Sequence, residues 1–483
     1  MSKFNESVTK TNKTTNLAGG EGFVMTPELE LVSALLTSFL EDKFYESGKT
    51  RQTRIETLVS KVDPQFAAKA SIFARTEFGM RSVSHVVAGW IGMNVKGESW
   101  TKNYFDKIVY RPDDMLEIMS YVKAHKGKQS HAMRKGFAKA FERFDAYQLA
   151  KYRASGKAIK LVDVVNTVHP YHNEALGKLI RDELRNTNTF ESKLSEAGQN
   201  GGAESKGEAW ADLISSNRIG YMALVKNLRN IITQSNEGTI DGAVRILTDE
   251  NRVKKSLLLP FRFLTAYTEL ESVTNSSKVL SGLSDALDIS FSNVPKFDGK
   301  TLVVIDHSGS MGSGVNSAFG RGAMFGLALA KSNDADLMHF GDDAKYLSFN
   351  KNDSTLTLLR YLDGLNGGYY GSSRGAGSYV GHGTNFNSIF ETADKKYDRI
   401  VIISDMQGWT GYYSPARSFG AYKNKFGANP QVYSWDINGY GTLEFPENNV
   451  ATLAGWSEKI FDIMKLVETD KKALVNKINS VEL

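Results

Sequence analysis

The sequence contains no cysteine among its 483 residues. This absence excludes disulfide bonds, thiolate metal sites and a cysteine nucleophile, and it fits a reducing compartment. No apolar run reaches the roughly 18 residues that a membrane helix needs, and residues 1–13 are too polar for a secretion signal. We therefore expect a cytoplasmic protein that makes no membrane contact.

Proline is scarce and the charge is nearly balanced. With 9 prolines and 41% hydrophobic residues, the chain has enough apolar surface for folded cores, and its length predicts two or three units. The net charge is +5, and Lys and Arg outnumber Asp and Glu by 41 to 35 in residues 1–299, against 18 to 19 in residues 300–483. This N-terminal surplus permits a polyanionic partner, but a solvated surface would explain it equally well.

The N-terminal part is predicted to be helical. Residues 1–25 are polar and lack an apolar period, which predicts a mobile tail. Thr26 and Pro27 form a helix-start pair, and amphipathic periods of about 3.6 residues then recur through residues 26–295. Short Pro-containing breaks suggest helical hairpins, although no repeat of fixed length is present.

Residues 296–483 show a different pattern, in which short apolar runs alternate with helical segments. The predicted strands are residues 301–305, 336–340, 399–403 and 432–435, and the predicted intervening helices are residues 318–330, 354–362 and 386–394. Strands that are apolar on both faces and separated by helices indicate a parallel sheet covered on both sides. We therefore predict a doubly wound α/β domain at the C-terminal end.

An oxygen-rich motif follows the first of these strands. Asp306, Ser308 and Ser310 alternate along a loop at the carboxyl end of the strand, where ligands bind in such sheets. Thr384 precedes a predicted helix and Asp405 follows a predicted strand. Both are expected to lie at the same edge of the sheet. Two carboxylates with three hydroxyls suit Mg²⁺ or Mn²⁺ better than Ca²⁺. The non-functional alternative for Asp306, Ser308 and Ser310 is a turn that caps a helix.

This joint pattern, D-x-S-x-S followed by Thr and then Asp, resembles the metal-ion-dependent adhesion site of von Willebrand factor A domains. All five ligand positions of that site match, and His307 stands at its variable second place. The resemblance implies a divalent cation with an open position for an oxygen ligand from a partner.

Several short segments of the N-terminal part resemble the TROVE module, which precedes a von Willebrand factor A domain in the Ro ribonucleoprotein autoantigen family. These segments, in the order of the family, are residues 73–85, 135–141, 151–153, 161–163, 168–170, 228–231 and 259–262. The resemblance implies a ring of HEAT-like helical repeats that binds single-stranded RNA ends and small noncoding Y RNAs. It also implies a role in RNA quality control or maturation, with an exoribonuclease such as polynucleotide phosphorylase as a partner.

Basic residues at helical spacing are the candidate RNA contacts. Arg134, Lys135, Lys139 and Arg143 are predicted to share one helix face, which could follow phosphates or simply be solvated. The resemblance adds residues of the family's K-Y and H-P motifs, namely Lys151, Arg153 and His169. Arg81 and His85 are expected either to face RNA or to cap a helix.

Two enzyme-like motifs lack the context that they require. Gly371–Gly375 fits the G-x-S-x-G pattern of hydrolases, but it lies in a Gly-rich loop. Gly48–Thr50 matches the last three residues of a phosphate-binding loop, but the first glycine of that motif and a preceding strand are both missing. We therefore expect a monomeric, non-catalytic RNA-binding protein. The rival hypothesis is a protein-interaction module in which the A domain captures an acidic partner through the metal while the helices act as scaffold.

Overall fold

The computed structural model describes residues 13–38, 40–41, 43, 45–153, 158–184, 190–256, 258–291, 294–314, 316–366, 378–411, 414–444, 450–457, 459–468, 470 and 473–483. The chain divides into two compact units. The helical unit comprises residues 38–41, 48–218 and 476–483, and the sheet unit comprises residues 1–37, 42–47 and 219–475. Residues 219–295 therefore group with the sheet, although their sequence pattern is helical.

The α-helices are, in chain order, α1 (Pro27–Leu36), α2 (Gly48–Lys61), α3 (Pro64–Thr76), α4 (Arg81–Asn94), α5 (Thr101–Lys107), α6 (Pro112–Ala124), α7 (His131–Ala140), α8 (Ala146–Lys151), α9 (Leu161–Val168), α10 (Glu174–Ile180), α11 (Phe190–Ser215), α12 (Tyr221–Gln234), α13 (Glu237–Leu247), α14 (Glu250–Lys255), α15 (Phe261–Leu270), α16 (Ser277–Ser290), α17 (Ala318–Asn333), α18 (Thr355–Asn366), α19 (Phe386–Thr392), α20 (Pro415–Phe426), α21 (Lys459–Val467) and α22 (Ala473–Asn479). None of these described helices combines the length and the apolar composition that crossing a bilayer requires.

The β-strands are β1 (Lys13–Thr15), β2 (Glu21–Val24), β3 (Thr301–Asp306), β4 (Asp336–Phe340), β5 (Ala344–Leu347), β6 (Arg399–Ser404), β7 (Gln431–Asp436), β8 (Thr442–Leu443) and β9 (Val450–Ala454). Six of them form one sheet in the order β5-β4-β3-β6-β7-β9. All neighbours in this sheet are parallel except β5, which pairs antiparallel with β4. Every residue of β3 and β6 is buried, which explains the apolar runs at residues 302–305 and 400–403.

Local sequence explains where many of the helices begin. The Thr26 side chain accepts a hydrogen bond from the Leu29 N–H, with Pro27 at the first helical position, as the sequence predicts. Asp63 and Pro64 start α3 in the same way. Gly48–Thr50 forms the first turn of α2, a helix rather than a phosphate loop, and Gly371–Gly375 lies outside the described residues.

Close packing of α5 against α7 anchors the basic helix in the helical unit. A Cβ at Gly136 would lie 2.6 Å from the carbonyl oxygen of Lys102, so only glycine permits this approach. The buried rings of Phe105 and Phe137 meet edge to face, with centroids 5.9 Å apart. One face of α7 is therefore fixed in the core, and its polar face points outward.

The structure differs from the sequence-based expectation near the N-terminus. Residues 13–24 lie in the predicted mobile tail, yet β1 pairs with β2, and β2 pairs with the distant strand β8. Phe23 and Met25 are buried together with Leu443. A strand pairing across more than 400 residues has no local signature, because its apolar partners are far away in sequence.

Candidate functional site

Three loops meet at the carboxyl edge of the parallel sheet. β3 and β6 are adjacent and parallel, so the loops that follow them leave at the same edge. The Gly309 N–H donates to the carbonyl of His382 at 2.9 Å, and the Trp409 N–H donates to the carbonyl of Thr384 at 3.1 Å. These bonds hold the segment before α19 against both loops. The sequence-predicted metal ligands therefore come from loops that lie in contact.

The loop after β3 has the alternating side chains that the sequence predicts. The Ser308 N–H donates to one carboxylate oxygen of Asp306 at 2.8 Å, and the Ser404 hydroxyl donates to the other. The hydroxyl oxygens of Ser308 and Ser310 lie 3.3 Å apart. Ser308 thus links the other two predicted ligands of this loop. Ser404, which orients Asp306, is a contact that the motif does not include.

Asp405 carries a buried carboxylate without a compensating cation among the described residues. Its side chain is fully buried, and neither carboxylate oxygen has a partner in good hydrogen-bond geometry within the described structure. Thr384, 2% exposed, is also buried. An ionised carboxylate costs considerable free energy in such a position unless a cation or a proton neutralises it. The two carboxylate oxygens of Asp405 therefore indicate a binding site for a cation.

The electrostatics of Asp306 and Asp405 also favour a bound cation. Burial raises the pKa of Asp405 well above its ordinary value and the neighbouring Asp306 raises it further, whereas hydrogen bonding to Ser310 lowers it. Burial likewise raises the pKa of Asp306, against hydrogen bonds from Ser308. Two carboxylates that resist ionisation side by side gain most from a divalent cation.

The predicted metal ligands include few charged groups, which is typical of sites where a hard metal ion keeps some of its water. No group of three or more His, Asp or Glu in the described part of the chain could hold a metal. Two aspartates with three hydroxyl oxygens instead fit an ion that keeps some of its water, such as Mg²⁺ or Mn²⁺. The five residues that would hold it are Asp306, Ser308, Ser310, Thr384 and Asp405.

His307, at the variable position of the motif, belongs to the core of the sheet unit. Its ring stacks on Phe319 of α17, with centroids 4.0 Å apart, and its Nδ1 lies 3.2 Å from Nδ1 of His339. Burial lowers the pKa of His307 to about 3. The histidine is therefore neutral at physiological pH and packs as an aromatic side chain.

An N-terminal hairpin supports the loop that carries Asp405. The Asn16 amide donates to the carbonyl of Gly408 at 2.5 Å, and the Leu17 N–H donates to the side-chain oxygen of Gln407 at 2.6 Å. Nothing in the sequence predicts this contact, because residues 13–24 carry no motif and lie about 390 residues away from the loop. The hairpin is therefore an unforeseen part of the site.

In the helical unit, the predicted basic face of α7 is only partly available. Arg134 and Lys135 are exposed, and their side chains form no ion pair or hydrogen bond with other described residues. Lys139 lies 3.1 Å from a carboxylate oxygen of Asp106, and Arg143 pairs with the other oxygen. Two of the four predicted cations are therefore free and two are neutralised.

Arg143 is also a structural link between segments. Its guanidinium donates to the backbone carbonyls of Asp106 at 2.7 Å and Val109 at 2.9 Å. These bonds satisfy carbonyls at the end of α5, where the helix leaves them without internal partners. The side chain thus ties the short 3-10 turn after α7 to the end of α5.

The remaining predicted RNA contacts occupy three different environments. Lys151, at the end of α8, lies 5.9 Å from the ring centroids of both Tyr147 and Tyr152. Arg153 pairs with Asp182 at 3.0 Å. His169 is exposed and ends α9 in a left-handed conformation, with φ of 51°. Lys151 therefore places a positive charge beside aromatic rings, a combination that often binds nucleic acid.

Arg81 and His85 are bound to a buried carboxylate. Asp114, fully buried, accepts from Arg81 Nε at 2.9 Å, from His85 Nε2 at 2.9 Å and from Arg75 Nη2 at 3.1 Å. Burial raises the pKa of Asp114, but hydrogen bonding to His85 and the charges of Arg75 and Arg81 outweigh it and lower the pKa. The cluster joins α3, α4 and α6, so these residues stabilise the helical unit.

A helical region that follows a short N-terminal hairpin, and a mostly parallel sheet with an oxygen-rich edge, define an α plus α/β protein. The sequence matches the TROVE domain over residues 38–175 and 163–281, which together make up just over half of the chain. The chain therefore belongs to the TROVE domain family, as the sequence motifs predict.

Curated relatives match at low identity and over part of their length. The chain is 21% identical over 319 residues to telomerase protein component 1 of Mus musculus, covering 47% of this chain and 12% of that protein. It is 23% identical over 237 residues to the RNA-binding protein RO60 of Deinococcus radiodurans, covering 44% of this chain and 42% of that protein. The chain thus spans less than half of the length of these relatives.

A solved structure supports the fold. The crystal structure of the Deinococcus radiodurans RO (RSR) protein matches with a TM-score of 0.57 at 18% identity, covering 90% of this chain and 99% of that one. The predicted fold class, a helical N-terminal region with a C-terminal parallel sheet, is confirmed.

Proposed function

We propose that the chain is a Ro-type RNA-binding protein whose helical unit contacts the sugar-phosphate backbone. Membership of the TROVE family and the similarity to a protein named as RNA-binding support this function. The observation that carries it is the exposed pair Arg134 and Lys135 on α7, which the described structure leaves without ion pairs. Their charges can meet phosphates without first breaking another interaction.

Other predicted contacts contribute unequally to this surface. Lys151 offers a charge beside the ring of Tyr147, which is 44% exposed and on which a base can stack. His169 is exposed and can donate to a phosphate or a base. Lys139 and Arg143 would have to share their charge with Asp106, so each adds less to RNA affinity.

The proposed ligands are small noncoding RNA of the Y type and single-stranded ends of misfolded RNA. Single strands expose both phosphates and base faces, which a surface of cations beside tyrosines can bind. We further propose a non-catalytic, cytoplasmic and monomeric role in RNA quality control or maturation, with an exoribonuclease such as polynucleotide phosphorylase as a partner.

The sheet unit is proposed to bind Mg²⁺ or Mn²⁺ through Asp306, Ser308, Ser310, Thr384 and Asp405. The buried carboxylate of Asp405, whose oxygens have no hydrogen-bond partner in good geometry among the described residues, supports this assignment. When bound, the ion supplies a positive charge with a free position for an oxygen ligand. The residues themselves hold the ion in place and, through Ser404, keep Asp306 oriented.

A filter-binding assay tests the RNA proposal. The probe is a small hairpin RNA with a single-stranded 3′ tail, and the variants are Arg134→Ala, Lys135→Ala and Lys151→Ala. Each is expected to raise the Kd by about 3- to 10-fold, because each removes one phosphate contact. Lys396→Ala, an exposed lysine of the sheet unit, is the matched control and should leave the Kd unchanged. Equal effects of all four changes would contradict the assigned surface.

A further inference from the structure

A cavity of about 480 Å³ lies between the end of α6 and the start of α9. The described residues that line it all belong to the helical unit. None of the residues proposed above to contact RNA is among them. The cavity is large enough for one small organic ligand. It shares no described residue with the proposed RNA surface.

Two lysines and a side-chain amide line this cavity. The side chains of Lys123, Lys126 and Gln129 form no hydrogen bond or ion pair with other described residues. Both lysines are exposed. A lysine binds a phosphate group as a point charge, and two lysines balance the nearly two negative charges of a phosphate monoester. These side chains therefore indicate an anionic ligand.

The backbone of Lys126 adopts a conformation that disfavours lysine. Its φ is 52°, in the left-handed region. The Gly127 N–H donates to the carbonyl of Val122 at 2.9 Å, and the Lys126 N–H donates to the carbonyl of Lys123 at 3.0 Å. These two bonds form a Schellman motif, in which glycine usually occupies the position of Lys126. The lysine is therefore placed here at a cost to the turn, and such strain concentrates at functional sites.

Apolar side chains form another part of the cavity lining. Val122 and Met119 of α6 are 2% and 5% exposed, so both are held by packing. Ile159, before α9, is partly buried. A methionine thioether makes favourable contacts with aromatic rings, and the branched side chains offer apolar surface. The lining therefore suits a ligand with both a phosphate group and a flat ring, rather than inorganic phosphate.

Asp163, in the first turn of α9, adds a hydrogen-bond acceptor to the lining. Its Oδ2 accepts from the Lys160 N–H at 2.8 Å, and its other oxygen has no hydrogen bond with a described residue. A carboxylate oxygen accepts readily from the exocyclic amino group of a nucleobase. Adenine carries such a group and uracil does not. Asp163 can therefore distinguish between bases.

We propose that this cavity binds a free mononucleotide whose base carries an amino group, such as AMP. The phosphate pairs with Lys123 and Lys126, and the base contacts Met119 and Val122. Asp163 accepts a hydrogen bond from the amino group. The volume of about 480 Å³ accommodates one nucleotide rather than a continuous strand. This binding site is additional to the proposed RNA surface and does not depend on it.

Isothermal titration calorimetry of the full chain tests this inference with AMP, UMP and adenosine. All titrations contain EDTA, so that no metal ion in the sheet unit can bind the phosphate. AMP should bind about tenfold more tightly than adenosine, because only AMP pairs with the lysines. It should bind at least about threefold more tightly than UMP, because uracil has no amino group for Asp163. Lys123→Ala should weaken AMP binding by about five- to tenfold and leave adenosine binding unchanged.

Lys126→Gly separates ligand binding from folding. The change removes a charge from the cavity and also introduces the residue that the left-handed position prefers. AMP affinity should therefore fall by about five- to tenfold, while the Tm is no lower than that of the wild type. A lower Tm with unchanged AMP affinity would show that Lys126 stabilises the turn instead, and would overturn the inference.

Lys128→Ala is the matched control, because Lys128 is an exposed lysine of the same turn that is not part of the cavity lining. It should change the Kd for AMP by less than about twofold. Equal affinity of the wild type for AMP and adenosine would overturn the inference. Displacement of AMP by the tailed RNA of the filter-binding assay would assign the cavity to RNA and also overturn it. Neither result removes the proposed RNA function, which that assay measures separately.

Discussion

The carboxylates of Asp306 and Asp405 follow neighbouring parallel strands, and both are completely buried. Asp306 accepts hydrogen bonds from Ser308 and Ser404, whereas neither carboxylate oxygen of Asp405 has a hydrogen-bond partner in good geometry within the described structure. Two like charges at one sheet edge cost free energy that a divalent cation offsets. This relationship underlies the account of the sheet unit.

Magnesium should stabilise the folded chain. At a free concentration of 100 times the Kd, a ligand that binds only the folded state adds about 2.7 kcal/mol to the free energy of unfolding. Thermal unfolding in MgCl₂ and in EDTA should therefore show a Tm that is several degrees higher with the metal. The Asp405→Asn variant should lose this difference, because it removes a ligand charge.

In EDTA the Asp405→Asn variant should be at least as stable as the wild type, because the change replaces a buried carboxyl group, whose ionisation costs free energy, with a neutral amide. A Tm in EDTA well below that of the wild type would show that Asp405 has a structural role instead. Leu466→Ser serves as a surface control and should respond to magnesium as the wild type does.

The metal site and the RNA surface should respond to different substitutions. Asp306→Ala should abolish Mn²⁺ binding but leave the Kd for RNA within about twofold, because the proposed RNA contacts lie in the helical unit. Circular dichroism confirms that the variant is folded. Loss of RNA binding in a folded Asp306→Ala variant would favour the rival hypothesis, in which the metal site carries the binding function.

The sequence predicts the elements of this site better than their surroundings. The strand before Asp306 and the strand before Asp405 are local apolar runs, and both are found where the pattern places them. The hairpin of residues 13–24 and Tyr45 approach the same edge from far away in sequence. Local periodicity cannot predict such contacts, because they depend on tertiary packing between distant segments.

Arg134 and Arg143 illustrate the same limit on the basic surface. Both were predicted to share one RNA-binding face, but Arg143 donates to Asp106 and Val109, whereas Arg134 is free in the described structure. Helical spacing predicts which face a side chain occupies. It does not reveal that an aspartate of another helix lies opposite.

This difference predicts opposite phenotypes for the two arginines. Arg143→Ala should lower the free energy of unfolding by about 2 kcal/mol, since it removes hydrogen bonds from a charged group. Arg134→Ala should change it by less than about 0.5 kcal/mol while it weakens RNA binding. Urea denaturation of both variants measures the first quantity. Equal stabilities would show that the bonds of Arg143 contribute little.

Asp114 should make the helical unit sensitive to acid. Its pKa in the folded state lies below the ordinary value, so its ion cluster contributes stability that is fully present above about pH 4 and is lost as the pH falls further. Asp114→Asn should cost about 3–5 kcal/mol at pH 7, because the buried cations lose their counter-charge. The difference from the wild type should shrink near pH 3.

Equilibrium unfolding in urea at pH 7 and pH 3 measures this dependence. Asp113→Asn, at the neighbouring aspartate, whose side chain is 17% exposed, is the control and should cost less than Asp114→Asn at pH 7. A constant difference between wild type and Asp114→Asn at both pH values would contradict the assigned charge state.

The salt dependence of RNA binding is the most direct test of the central proposal. The Kd of the wild type for an RNA with a single-stranded 3′ tail should rise steeply with salt, as a straight line on logarithmic axes. The double variant Arg134→Ala/Lys135→Ala should bind more weakly and with a slope smaller by about two, since two phosphate contacts are lost. Binding that is insensitive to salt, or an unchanged slope in the double variant, would contradict the account.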